Sequence, residues 1–205
     1  MSIFTKTKQR LRRHKLRQIG IEPVPCDSAT LYGGDHGWVI DESSIDSESI
    51  IYSVGVGSNI DFDLELIDSL GVTIHAFDPT PRSVEWVKEQ NLSNKFIFHP
   101  VGLAAENGFM NFYPPAKSSS THFSPVDSYG NTDNEIKAPV KDIDTMASEL
   151  GHKKIDLLKM DIEGAEYEVI KALPDSEVII NQILIEFHHM YKSISFSQTV
   201  EAINT

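Results

Sequence analysis

The sequence holds one cysteine, Cys26, which excludes an intramolecular disulfide framework and a cysteine-based zinc cluster. A lone thiol of this kind reads as buried or idle. No apolar run approaches the roughly 18 residues that a membrane-spanning helix needs. The N-terminus also lacks the apolar stretch of a secretory signal, so a soluble protein in the cytoplasm is expected. There is no G-x-x-x-x-G-K-[ST] phosphate loop, no internal repeat and no low-complexity tract. Acidic residues are missing from one region only: residues 1–17 carry seven of the 18 Lys and Arg and none of the 30 Asp and Glu. The rest is therefore strongly acidic and repels nucleic-acid phosphates, which disfavours a nucleic-acid substrate for the body of the chain. The basic arm, with Phe4, Leu11 and Leu16 as an apolar stripe, suits an anionic surface or packing on the domain or a second subunit.

What is present reads as one globular domain: 205 residues, 40% hydrophobic and 23% charged, enough for a sizeable core. We divide the chain into a basic arm at 1–20, a cap segment at 21–49 and a ligand-binding domain at 50–205. In the cap, glycines surround Asp35 and His36 and lead into a short strand through Trp38 and Ile40. That pattern suits either an edge hairpin over the core or a wall over a ligand site.

From residue 50 on, strands and helices alternate. Strands are expected at 50–55, 73–77, 95–99, 109–113, 136–141, 155–160 and 178–187. Helices are expected at about 60–70, 82–90, 144–150, after Glu166 to Leu173, and near 197–204. Residues 102–108 and 114–135 read as loops, the second long enough to be a lid. This order predicts an α/β fold with a doubly wound, mainly parallel sheet and helices on both faces. Ligands in such sheets bind at the carboxyl ends of the strands, where the strand order reverses. Gly55, Gly57, Asp78, His99, Val101, Asp161, Glu186 and His188 should therefore converge on one crevice.

The first strand, Ile50 to Val54, runs into Gly55-Val56-Gly57-Ser58-Asn59 and then an amphipathic helix. Gly-x-Gly lets backbone approach a ligand closely. Ile60 stands where the dinucleotide fingerprint G-x-G-x-x-G places its third glycine, which counts against a pyrophosphate cradle. A ribose-bearing ligand without phosphate, S-adenosylmethionine, fits better. In that reading Asp78 takes the ribose hydroxyls and the turn at 55–59 lies beside the methionine carboxylate.

The segments SVGVGSN, HAFDPTP, FHPVGLAAENGFMNFY, VKDIDTMASEL, IDLLKMDIEGAEYEVIKAL and ILIEFHH occur in the order and spacing of the FkbM-type methyltransferases. The chain resembles these class I S-adenosylmethionine-dependent enzymes, mostly O-methyltransferases, over about residues 30–190. The block from Lys159 to Glu166 is similar to the family's K-x-D-x-E-G-x-E. Ser58 departs from the family's usual alanine. About 16 residues follow His189, enough for a helix but short of the antiparallel hairpin with which class I methyltransferases usually finish.

The resemblance implies methylation of a hydroxyl on a sugar, glycan or other natural product. Gly55, Gly57, Ser58, Asn59, Asp78, Val101 and Gly102 are assigned to the cofactor. Asp161, Glu186 and His188 are the candidates for chemistry, and Glu163, His36 and Trp38 for acceptor binding. Glu186 follows an apolar strand, where a charge without a task would be buried at a cost. Asp161, Glu186 and His188 also offer two carboxylates and an imidazole for a divalent metal, although no compact ligand motif accompanies them. Lys159 is expected to pair with a nearby acid, and His189 to point away from His188 as strand neighbours do. Glu166 opens a helix, where acids are favoured by the dipole alone. His36, His75, His99, His122 and His152 show no ligand spacing. Two other functions remain open at this point: a nicotinamide-dependent oxidoreductase on the same fold, and a non-catalytic protein that works through its basic arm.

Overall fold

The structure is a computed structural model that describes residues 17–18, 20–22, 24–114, 123–125, 135–191 and 193–205. Most of the basic arm, most of the 114–135 loop and His122 lie outside the described residues.

Five parallel strands form the central sheet. They are β3 (Ile50–Val54), β4 (Thr73–Phe77), β5 (Phe96–His99), β9 (Lys154–Met160) and β10 (Ile179–Ile185), in the order β10-β9-β3-β4-β5. The expected parallel, doubly wound arrangement is what the chain adopts. Preceding the sheet, β1 (Ala29–Tyr32) and β2 (Trp38–Asp41) make an antiparallel hairpin around a 3-10 turn at Gly34–His36. A three-stranded sheet of β6 (Gly102–Leu103), β8 (Ile136–Lys141) and β7 (Gly108–Phe112) stands beside the main one.

Burial explains the strand assignments. β3 and β9 are covered on both faces, so most of their residues are apolar and alternate between two cores, with Ser53, Asp156 and Lys159 as buried polar exceptions. Ile51 and Leu157 point to one core, with Phe62, Leu66, Ile74 and Phe96. Tyr52, Val54, Leu158 and Met160 point to the other, with Met146, Val169 and Ile170. Each such side chain contributes roughly 1.5–3 kcal/mol when fully buried. The hairpin joins the first core through Tyr32 and Ile40, so the cap packs directly on the sheet.

The helices are α1 (Asp61–Leu70), α2 (Pro81–Glu89), α3 (Ile143–Leu150), α4 (Glu166–Ala172) and α5 (Phe196–Ile203). Their ends carry recognisable signals. Gly71 closes α1 in the left-handed region at φ 68°, Pro81 opens α2, Asp142 caps α3 by accepting from Thr145 N–H at 2.7 Å, and Ser195 with Gln198 forms a capping box on α5.

Three expectations need correction. Residues 102–108 are not all loop, because Gly102–Leu103 pairs with Val140 and Lys141 of β8. The last strand stops at Ile185 rather than 187, and as an edge strand its residues are at most half-buried, with Ile179 and Ile183 exposed. Glu186 thus lies beyond the strand and is exposed, so the burial cost inferred for it does not arise. Cys26 is a free, exposed thiol, which leaves the idle alternative of its reading. No described helix is long and apolar enough to cross a membrane.

Candidate active site

The strand order reverses between β3 and β9, and the chain leaving these two strands supplies the centre of the site. Gly55 N–H donates to Phe77 C=O at 2.9 Å and Asp161 N–H to Val54 C=O at 3.0 Å. Gly55 has φ 88°. A Cβ on it would lie 1.7 Å from the Asp161 carbonyl oxygen, so only glycine lets the two turns touch.

Asp78, at the end of β4, is buried. Its Oδ2 accepts from Val56 N–H at 3.1 Å and Gly57 N–H at 3.0 Å. Its Oδ1 accepts from Thr80 N–H at 2.9 Å and the Thr80 hydroxyl at 2.6 Å. The carboxylate thus holds the glycine turn in shape, and a ligand hydroxyl would reach it by sharing with those donors.

Two clefts open from this centre. The first is lined by Gly55, Gly57, Asp78 and Thr80, with apolar walls from Phe77, Leu103, Met110, Phe112 and Phe123, and is closed by Asp161, Ile162 and Glu163. Gly102 lines it, but Val101 packs into the core beneath the sheet. The second is lined by His36, Trp38, Ser58, Asn59, Asp63, Lys159 and Glu186. Gly55 and Asp161 belong to both.

The candidate catalytic and acceptor residues therefore fall in two groups about Asp161, while His99, expected in the same crevice, lines neither cleft and stacks on His75 and Phe77. Glu163 and His188 stand on one side, and Glu186, His36 and Trp38 line the other. Burial pushes Asp161 up to about 6; the charges of Glu186 and Glu163 add to this, against Lys159 and His188. His188 Nε2 lies 3.7 Å from Asp161 Oδ1 and 3.4 Å from Glu163 Oε2, while Nδ1 is 2.7 Å from Glu166 Oε1. Burial alone would lower its pKa. The hydrogen bond to Glu166 and the charges of Glu166, Glu163 and Asp161 together outweigh that and hold it at about 9. His189 turns to pack edge-on against Phe196 at 5.2 Å; the strand has already ended, so alternation along it is not the reason.

Several contributors were not legible in the sequence. Glu166 is fully buried and accepts from Ile162 N–H at 3.1 Å and Gly164 N–H at 2.9 Å as well as from His188. Its position at a helix start gave it an ordinary explanation. The Tyr191 hydroxyl donates to Glu163 Oε2. Lys159 is buried, donates to Gly55 C=O at 3.3 Å and lies 5.2 Å from the centre of the Trp38 ring. Asp63, buried on α1, is pushed up by burial against the opposing charge of Lys159. An acid partner for Lys159 was expected, and the fold identifies Asp63 as one such acid.

Comparison with known proteins agrees with this geometry. The family model described as the methyltransferase FkbM domain matches residues 6–203. A probable methyltransferase-like protein 24 of Homo sapiens is 27% identical over 141 residues, covering 67% of this chain and 32% of that protein. Methyltransferase 1 of Beauveria bassiana is 27% identical over 135 residues, 56% of this chain and 54% of its own length. The hexuronic acid methyltransferase AglP of Haloferax volcanii is 27% identical over 138 residues, 65% of this chain and 54% of its own. The match thus spans about a third to about half the length of these relatives. No solved structure matches significantly.

Proposed function

The chain belongs to the FkbM methyltransferase family, and from that premise we propose that it is an S-adenosylmethionine-dependent O-methyltransferase whose acceptor is a hydroxyl of a sugar, glycan or other natural product. One observation carries this reading: two clefts of different character meet at Gly55 and Asp161. Transfer of a methyl group needs cofactor and acceptor in line, approached from opposite sides of one point.

When bound, S-adenosylmethionine supplies a methyl group activated on a sulfonium sulfur. The apolar walls of the first cleft, Phe77, Leu103 and Phe112, would hold the adenine, and Asp78 with the glycine turn would hold the ribose. Ser58 and Asn59 lie on the side of the turn facing the second cleft, beside the methionine end. Trp38 offers a ring face to the acceptor, and His36 and Glu186 accept its hydroxyls. Asp161 would take the proton of an acceptor hydroxyl presented where the two clefts meet, freeing its oxygen for the methyl group that the cofactor would supply. A carboxyl held near 6 is ionised at neutral pH and a stronger base than an ordinary aspartate.

The second cleft contains three carboxylates, Asp63, Asp161 and Glu186, and one ammonium, Lys159. That balance favours a neutral hydroxyl-bearing acceptor over the acid sugar named for the Haloferax relative.

The test is transfer of labelled methyl from S-adenosylmethionine to a panel of neutral sugars, glycans and uronic acids. Methylation of a neutral acceptor, reduced about 10²-fold or more in Asp161→Asn, supports the reading. Transfer undiminished in that variant would overturn the assignment of the base.

A further inference from the structure

The turn leaving β9 arranges three donor atoms in a way that methyl transfer does not require. Asp161 Oδ1 and Glu163 Oε2 lie 3.7 and 3.4 Å from His188 Nε2, and one donor atom from each residue falls within 4.8 Å of the other two. The two spacings are too long for hydrogen bonds. They match donors that share an ion: bonds of about 2.1 Å at tetrahedral angles place neighbouring donors about 3.4 Å apart.

The surroundings hold these atoms in place. Glu166, fully buried, anchors the His188 ring through Nδ1. A carboxylate only accepts, so Nδ1 carries the hydrogen and Nε2 is the atom directed at the two acids. Carboxylate-anchored imidazoles are the usual orientation device of metal-binding histidines. Glu163 sits at φ 54°, the only non-glycine residue with positive φ among those described, a conformation that costs energy and clusters at functional sites. Two contacts fix it there: the Ser124 hydroxyl donates to its backbone C=O at 2.6 Å, and Tyr191 donates to its carboxylate.

We propose that Asp161, Glu163 and His188 form a binding site for a divalent first-row cation, with Glu166 and Tyr191 as positioning residues. Two carboxylates and one imidazole suit Mn²⁺ or Zn²⁺ rather than a thiol-seeking ion. Glu163 replaces the exposed Glu186 in the set expected from sequence, because the 161–166 turn folds it back toward His188. The site stands on this geometry and not on the methyltransferase reading. Through Asp161 an ion there would stand at the point where the two clefts meet, where it would polarise an acceptor hydroxyl.

The full chain, stripped of metal, is titrated with Mn²⁺ while the free ion is followed by electron paramagnetic resonance, and Zn²⁺ is then added as a competitor. One Mn²⁺ per chain, displaced by Zn²⁺, is expected. Glu163→Gln and His188→Gln should weaken it at least tenfold and Glu166→Gln about 10–100-fold, while Glu149→Gln, an exposed acid paired with Lys141, leaves it unchanged. Circular dichroism checks that each variant is folded. If the wild type takes up neither ion, or folded Glu163→Gln and His188→Gln bind like wild type, the proposal is overturned and the cluster is an ion-paired imidazolium. S-adenosylhomocysteine titrated into the same samples separates the two readings. Its binding without uptake of either ion overturns the cation site and leaves the methyltransferase assignment, and ion uptake without its binding does the reverse.

Discussion

Gly55 carries the tightest constraint of any single residue. The Asp161 carbonyl occupies the place where a side chain would begin, 1.7 Å from an ideal Cβ, and its φ of 88° is unfavourable for any other residue. The obstacle is backbone on both sides, so it cannot rotate away as a side chain would. Gly55→Ala should therefore push β3 and β9 apart at their carboxyl ends. We expect a loss of more than roughly 3 kcal/mol in denaturant unfolding, beyond the usual cost of a strained backbone position. Near-normal stability would contradict the close approach of the two turns. The need for glycine here was visible in the sequence as Gly-x-Gly, but its reason was not. Close approach of backbone to a ligand was the expected cause, whereas the nearest neighbour is the protein's own chain 106 residues further on. Asp78 teaches the same lesson. Its place at the end of a strand was readable, and the four hydrogen bonds that tie it to the turn and Thr80 were not.

At the scale of elements, the register of neighbouring strands brings together groups that no sequence spacing announces. His75 on β4 lies opposite Ile97 of β5, yet its Nδ1 is 3.1 Å from His99 Nε2 and its ring stacks on the His99 ring. His152 meets the pair edge-on and is 2.8 Å from the Tyr52 hydroxyl. Burial first, and then the charges of His152 and His99, lower His75 to about 4. Burial leads the lowering of His99 and His152 as well. These rings are neutral in the folded chain but take up protons near 6.5 once unfolded. Their contribution to stability is complete above 6.5 and is lost as pH falls from there through about 4. Thermal unfolding should accordingly drop between these values, and His75→Phe should flatten the drop. A melting temperature unchanged from 6.5 to 4 in the wild type would show that the cluster is not buried neutral. Strands and helices themselves were legible because burial on two faces writes an apolar run and burial on one face writes a 3.6-residue period. The side-chain clusters depend on which strands become neighbours, which the periods do not encode. Glu186 shows where that reading fails: β10 is an edge strand, so the residue after its apolar run is exposed.

The whole molecule is organised about one reversal of strand order. The order β10-β9-β3-β4-β5 places the glycine turn and the 161–166 block side by side, with the apolar-walled cleft on the β4 side and the polar cleft on the hairpin side. This is why segments separated by more than a hundred residues could be assigned to one site from their order alone, while the partition into two clefts needed the fold. The most direct test of the account is calorimetric titration of the full chain with S-adenosylhomocysteine. One site per chain is expected, weakened at least tenfold in Asp78→Asn, since an amide cannot accept all four of the bonds that tie Asp78 to the turn and to Thr80, and NADH should give no heat. The account is contradicted if the folded wild type does not bind S-adenosylhomocysteine, or binds NADH in its place.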